Sequence, residues 1–143
     1  ALLMQAVIPK MKEKNFGRIV NITSAMVKNP HLIMGLSTSA RSGLHGLSKA
    51  LSREVAQYNI TINNVLPERI DTDRQTQILN FQAKLADSTY EEAKKELEET
   101  LTAKRMGTVE EFSGICTFLC SEQAAYISGQ NISVDGGNST NLI

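Results

Sequence analysis

The chain has 143 residues, of which 41% are hydrophobic and 21% are charged, and its 15 basic and 15 acidic side chains give a formal net charge of zero. This balance, together with only 5% aromatic residues, argues against a nucleic acid or an anionic membrane as partner. No apolar run approaches the ~18 residues that a transmembrane helix needs. Length and composition are typical of one globular domain.

The chain begins with a helical pattern. Residues 1–14 are apolar from the first position and lack an N-cap, so we expect a helix entered halfway and hence a fragment of a longer domain. The β-branched run RIVNIT (18–23) predicts a strand. Residues 24–35 follow as a loop, with Asn29-Pro30 as its turn signal.

Residues 37–58 predict a long helix with two stripes. We expect its apolar stripe to face the core, and this stripe comprises Ala40, Leu44, Leu47, Leu51 and Val55. A second stripe is small and allows another backbone to approach closely, and it comprises Ser39, Gly43, Gly46 and Ala50. A strand follows at 60–66, and a strand–helix–strand crossover makes the two strands parallel.

The remaining residues predict three helices and one strand. Residues 71–105 are polar and helical in pattern, with a break at 87–89 where Ser88 or Thr89 can cap a second helix. Thr108 with Glu111 forms a capping box that begins a helix over 109–121. In that helix Cys116 and Cys120 lie four residues apart, and we expect buried free thiols in a reducing compartment. The stretch GQNISVDGG provides a third strand.

Several stretches resemble the short-chain dehydrogenase/reductase family, most closely the type that includes 3-oxoacyl-[acyl-carrier-protein] reductases. They are GRIVNITS, ITINNVLPERIDTD, RMGTVEEF and FLCSEQAAYISGQNISVDGG. The resemblance covers essentially the whole chain but only the family's second half. It implies an α/β fold, the C-terminal part of a Rossmann-type doubly wound parallel sheet, with three parallel strands, flanking helices and the N-terminal half absent.

The resemblance implies a catalytic set in which two of three side chains have changed. The family has a serine, then a tyrosine thirteen residues later and a lysine four further on; the matching residues here are Ser24, Ser37 and Arg41. A serine is a far weaker acid than a phenol, and a guanidinium differs in shape from an ammonium. Losing a positioned acid costs on the order of 10²–10⁴ in rate, so we expect the usual mechanism to be crippled or replaced.

Each of these residues also has a structural interpretation. Ser24 is a polar strand end or, as we favour, a hydroxyl on the substrate side. Ser37 is more simply an N-cap of its helix than an acid, and Arg41 is either a solvated residue or a contact to the cofactor. We expect His45 to be an ordinary helix-surface histidine, and we keep His31 as a minor alternative proton donor.

The segment PERIDTD (67–73) resembles the family's loop around the nicotinamide. The resemblance implies that Pro67, the Ile70 backbone and Thr72, with Arg41, contact the cofactor. The family has glycine where this chain has Glu68. That carboxylate disfavours a pyrophosphate unless Arg69 or Arg74 offsets its charge.

Two functions follow as expectations. The first is an NAD(P)-dependent oxidoreductase, using NADP or NAD on a small carbonyl or alcohol substrate in the cytoplasm, with 71–105 as a substrate lid and no metal. The second is an inactive cofactor-binding or structural relative that serves as an oligomer subunit. The resemblance implies a homo-oligomer, a dimer or tetramer, formed through helix 37–58 and the C-terminal strand.

Overall fold

The computed structural model describes residues 1–142. Its helices are α1 (Leu2–Lys14), α2 (Gly35–Val55), α3 (Asp73–Leu85), α4 (Tyr90–Thr100) and α5 (Val109–Cys120), and its strands are β1 (Gly17–Ile22), β2 (Ile60–Pro67) and β3 (Asn131–Val134). Short 3₁₀ turns follow β1, precede and follow α2, and follow α5. The elements match those expected from the sequence in kind and order.

The three strands form one parallel sheet with the order β1-β2-β3. The register aligns Gly17 with Ile60 at the start of β1 and Pro67 with Val134 at the end of β3. The carboxyl ends of all three strands therefore lie at the same edge of the sheet. Helix α2 makes the crossover from β1 to β2, which is the connection that a parallel pair requires. The predicted α/β fold class with three parallel strands is confirmed.

Helices cover both faces of the sheet. Against one face, α1 and α2 pack in a cluster built on Met4, Ile8, Val55, Ile60 and Ile62. Against the other face, α5 packs in a cluster built on Val65, Leu119 and Ala124. Two covered faces are what a parallel sheet needs, because its strands are apolar on both sides.

The core-facing side of α2 combines part of the predicted apolar stripe with polar residues. Val55 is buried, and Leu44 and Leu51 pack against the cluster around it, whereas the other buried residues of the helix are Thr38, His45, Ser48 and Ser52. The predicted core residue Ala40 is exposed. The face is partly polar because β1 offers partners to it: Asn21 Nδ2 donates to Ser48 Oγ over 3.1 Å. Hydrogen bonding offsets the cost of burying the Ser48 hydroxyl, so hydrophobicity alone misses the polar part of this face.

The two helices between β2 and α5 have a small core of their own. Leu79, Leu101 and Met106 are buried there, with α4 side chains packed around them. Thr89 begins α4 and Thr108 begins α5, each with a reciprocal capping box. Of the two cap candidates Ser88 and Thr89, Thr89 is the cap of α4, and the capping box predicted at Thr108 is confirmed.

The thiols of α5 differ from each other in environment. Cys116 and Cys120 are both free, as predicted. Cys116 packs at the edge of the α5 core, whereas Cys120 is exposed. The expectation of burial therefore fails for Cys120, which lies at the last residue of the helix.

Candidate functional site

A cavity of about 330 Å³ lies where β1 and β2 end. It is lined by Ser24, Ala25, Met26, Asn29, His31, Pro67, Glu68, Arg69, Gln75 and Ile78. Open α/β sheets bind ligands outside the carboxyl ends of their strands. Position and size therefore make this cavity the candidate site, since small-molecule sites begin at about 300 Å³.

Ser24 follows β1 and borders the cavity. Its Oγ accepts a hydrogen bond from the backbone N–H of Met26 over 3.3 Å and so caps the 3₁₀ turn Ala25–Val27. This bond uses an oxygen lone pair and leaves the hydroxyl proton free to donate. Ser24 can therefore offer a donor to an acceptor oxygen placed in the cavity.

Ser37 and Arg41 are bound to each other on α2. Arg41 Nη1 donates to the Ser37 carbonyl oxygen over 3.2 Å and also to the Ser37 hydroxyl. Neither residue is among those lining the cavity. The N-cap interpretation of Ser37 is wrong, because α2 begins at Gly35, two residues earlier, and its cap residue Met34 makes no side-chain bond.

His45 is buried, and its prediction as a surface histidine is wrong. It is 7% exposed, and its Nε2 lies 2.8 Å from Thr23 Oγ1. Burial, and secondarily the positive charge of Lys28, lower the pKa of His45. The neutral imidazole is therefore favoured at neutral pH, and it connects α2 to the residue that precedes Ser24 in the chain.

The loop after β2 leaves the backbone N–H and C=O of Ile70 open. Gly107 N donates to Arg69 O over 3.0 Å, and Asp71 N donates to Gly107 O over 2.8 Å. In this parallel bridge Ile70 lies between the two bonds, so its own N–H and C=O point away from Gly107. Within residues 1–142 neither group of Ile70 has a hydrogen-bond partner. One donor beside one acceptor matches the chemistry of a primary carboxamide.

Thr72 and Glu68 complete this loop. Thr72 Oγ1 accepts from the N–H of Gln75 over 3.4 Å and caps α3. Glu68 Oε1 accepts from Asn138 Nδ2 over 2.8 Å. The ion pairs of residues 1–142 include none between Glu68 and Arg69 or Arg74. The carboxylate instead bonds a neutral amide of the C-terminal segment.

Gln75 is the site residue that sequence reasoning missed. It is 7% exposed and lines the cavity together with Ser24. Its Nε2 has no hydrogen-bond partner in the described structure. The sequence Thr72-x-x-Gln75 fits a capping box, and that pattern alone predicts a side chain that turns back to the helix start.

A second cavity, of about 190 Å³, lies on the other side of the same loop. Arg105 and Glu111 contribute to its lining. Arg105 Nη2 lies 2.6 Å from Glu111 Oε1, and Arg105 Nη1 lies 2.8 Å from Oε2. The hydrogen bonds from Arg105, and then the backbone N–H of Thr108, lower the pKa of Glu111 to about 2.

Residues 1–142 show neither a metal-ion cluster nor a membrane span. No group of three or more histidine, cysteine or acidic side chains in this range is arranged to hold a metal ion. Within the same range no helix combines the length and the apolar character required to cross a membrane.

Comparison with known proteins gives the family. A family model described as enoyl-(acyl carrier protein) reductase matches residues 1–139. The sequence motifs, the parallel sheet and this match agree, and the chain belongs to the short-chain dehydrogenase/reductase family. This match confirms the family that the sequence motifs indicated.

Relatives of known description resemble the chain along most of its length. It is 37% identical over 128 residues to the NADPH-dependent reductase BacG of Bacillus subtilis (strain 168), covering 90% of this chain and 49% of that protein. It is 35% identical over 136 residues to the 3-oxoacyl-[acyl-carrier-protein] reductase FabG of Aquifex aeolicus (strain VF5), covering 95% of this chain and 50% of that one.

A solved structure supports the same assignment. The crystal structure of YwfH, an NADPH-dependent reductase involved in bacilysin biosynthesis, is 34% identical and superimposes with a TM-score of 0.89. The match covers 97% of this chain and 53% of that one. The chain therefore spans about half the length of the relatives it matches.

Proposed function

We propose that the protein is an NAD(P)-dependent oxidoreductase that interconverts a carbonyl and an alcohol on a small molecule. The observation that carries the proposal is the hydroxyl of Ser24 beside a cavity at the carboxyl ends of β1 and β2. Membership of the family and similarity to the NADPH-dependent reductase BacG support it. The altered pair Ser37 and Arg41 makes this a divergent member.

The loop after β2 and Arg41 bind the cofactor. The open N–H and C=O of Ile70 fit the carboxamide of a nicotinamide, and Thr72 retains a hydroxyl proton to donate. Pro67 ends β2 immediately before the loop, and Arg41 offers a positive charge for a ribose or phosphate oxygen. When bound, NADP or NAD supplies or receives the hydride.

The protein's own part is to orient the substrate and to move a proton. Ser24 donates its hydroxyl proton in a hydrogen bond to the substrate oxygen, which develops negative charge during reduction. Of the proton donors considered, His31 lines the same cavity as Ser24, whereas Ser37 does not. We therefore assign the proton to His31 or to a water in the cavity, and Ser37 to orienting Arg41.

The remaining roles follow the family resemblance. The segment 71–105, which carries α3 and α4, serves as a substrate lid. The name of FabG makes a 3-oxoacyl compound a reasonable first substrate to test. We propose the cytoplasm as location, because Cys116 and Cys120 are both free.

A second function is favoured by one observation. Arg41 is bound to Ser37, and neither of them lines the cavity. This arrangement fits a relative that binds a cofactor, or only stabilises an oligomer, without turnover. The two functions differ in whether the Ser37–Arg41 pair takes part in chemistry.

One double variant separates the two functions. Ser37→Tyr with Arg41→Lys restores the residue types of the family in the full-length protein, and Ser42→Ala with Arg53→Lys on the same helix is the matched control. An NADPH-dependent reductase that has replaced its mechanism should lose activity in the first variant and keep it in the control. An inactive wild type that gains reductase activity would contradict the proposed enzyme and favour the inactive relative.

A further inference from the structure

Gln75 is the third residue of α3, a position that belongs to a reciprocal capping box in α4 and in α5. At the third position of α4 and α5, Glu92 and Glu111 accept back from the backbone N–H of their N-cap threonines, over 2.9 Å and 2.8 Å. Gln75 is the equivalent residue of α3, yet only the Thr72 hydroxyl contributes a capping bond there. The Gln75 side chain is therefore directed elsewhere.

The side chain is buried and its amide donor is unpaired. Gln75 is 7% exposed, and Nε2 is one of two buried side-chain polar atoms without a partner in residues 1–142, the other being Thr38 Oγ1. Most buried polar atoms in native proteins are hydrogen-bonded, so an unpaired one needs an explanation. The Gln75 amide therefore has a donor available for an acceptor on a ligand in the cavity.

The cavity brings this donor together with a second one. Gln75 and Ser24 line the same 330 Å³ space, along with the apolar side chains of Met26 and Ile78. Ile70, whose open backbone groups suit a carboxamide, is not among the residues lining it. A ligand that satisfies both Ser24 and Gln75 carries two acceptor oxygens.

We propose that Gln75 is a specificity-determining residue whose Nε2 donates a hydrogen bond to a second acceptor oxygen of the substrate, apart from the carbonyl held by Ser24. The inference rests on the proposed function, because it places the reacting carbonyl at Ser24. The preferred substrate class is a ketone that carries an additional carbonyl or carboxylate oxygen. A plain alkyl ketone leaves the buried donor unpaired and so binds more weakly.

Binding of two ketones of equal chain length tests this role. Ethyl acetoacetate has an ester oxygen beyond its ketone, and 2-heptanone has only methylene groups there. We expect the full-length protein, titrated calorimetrically with and without NADP⁺, to prefer the ester by about 3- to 10-fold, as for one added neutral hydrogen bond. Gln75→Leu abolishes this preference, and Gln77→Leu, an exposed glutamine on the same helix, retains it.

The outcomes are distinct. A preference that persists in Gln75→Leu, equal binding of both ketones by the wild type, or no binding of the ester would overturn the role of Gln75. A loss of NADPH affinity in Gln75→Leu would also overturn it, because the donor would then serve the cofactor. Lack of reductase activity with the binding preference intact would contradict the proposed function alone.

Melting temperature tests the premise without any ligand. Replacing an unpaired buried donor with an apolar group should leave the melting temperature of the free protein unchanged or raise it by a few degrees. Gln75→Met, which keeps the unbranched shape, serves if leucine does not fit. A marked decrease in both variants would mean that Nε2 is already satisfied in the free protein, which would overturn the inference.

Discussion

His45 and Thr23 form a buried contact, 2.8 Å between Nε2 and Oγ1, that connects α2 to the end of β1. Thr23 immediately precedes Ser24, so this contact helps to fix the chain where it enters the cavity. Asn21, two residues earlier on the same face of the strand, donates to Ser48. Together these two contacts set how β1 and α2 pack beside the site.

This contact predicts a loss of stability in mild acid. The pKa of His45 is lowered from its ordinary value of 6.5 by burial and by Lys28. The unfolded chain therefore takes up the proton at a higher pH than the folded chain. The contribution of His45 to the free energy of unfolding is fully present above pH 6.5 and is lost as the pH falls through the folded-state pKa.

Urea denaturation of the full-length protein at several pH values between about 5 and 8 measures this loss. In His45→Gln, whose amide can bond Thr23 but does not titrate, we expect a flatter dependence on pH over that range. His31→Gln is the control, because His31 is exposed. An unchanged pH dependence in His45→Gln would contradict the assignment to His45.

The ion pair of Arg105 and Glu111 predicts that the Glu111 carboxyl titrates at unusually low pH. The pKa of Glu111 is lowered to about 2, first by the hydrogen bonds from Arg105 and then by the backbone N–H of Thr108. An NMR titration should therefore show its carboxyl protonating near pH 2. Arg105→Gln raises this midpoint toward, but not to, the ordinary 4.5, because the Thr108 bond remains.

Lys104→Gln is the matched control for this titration. Lys104 neighbours Arg105 but donates to the backbone carbonyl of Glu99, so its removal should leave the Glu111 midpoint where it is. A midpoint that is the same with and without Arg105 would show that the ion pair is not formed in solution.

The exposed small residues of α2 predict a subunit interface. Ser39, Gly43, Gly46 and Ala50 are all exposed, and a Cβ added at Gly43 or Gly46 meets no atom within 4 Å. Close approach of a second helix needs such residues, and arginine there would block it while leaving the fold intact. We expect Gly46→Arg to reduce the molar mass measured by light scattering in the full-length protein.

The control is Gly114→Arg on α5, where an added Cβ also meets nothing within 4 Å. It should leave the molar mass unchanged, since it carries the same charge on the opposite side of the sheet. Equal molar masses for the wild type and Gly46→Arg would contradict a subunit interface at this face of α2.

Local signals in the sequence predicted most of the elements. The capping boxes at Thr89 and Thr108 and the β-branched strands depend on residues near in the chain, and the structure has them within one or two residues of the expected positions. The parallel order followed from the long helix between β1 and β2. These features need no knowledge of distant contacts.

Features that depend on tertiary packing were not predictable in this way. His45 and Ser48 are buried because Thr23, which follows β1, and Asn21 of β1 are their hydrogen-bond partners, which no helical periodicity reveals. The burial of Gln75 likewise depends on how α3 lies over the cavity. The spacing of Ser24, Ser37 and Arg41 matched them to the family's catalytic positions, but it did not predict the hydrogen bond from Arg41 to Ser37.

The most direct test of the account is a fluorescence titration of the full-length protein with NADPH and with NADH. Family membership and the open backbone groups of Ile70 predict saturable binding of at least one of the two nucleotides. A protein of verified fold that binds neither nucleotide would contradict the proposal that this scaffold serves hydride chemistry.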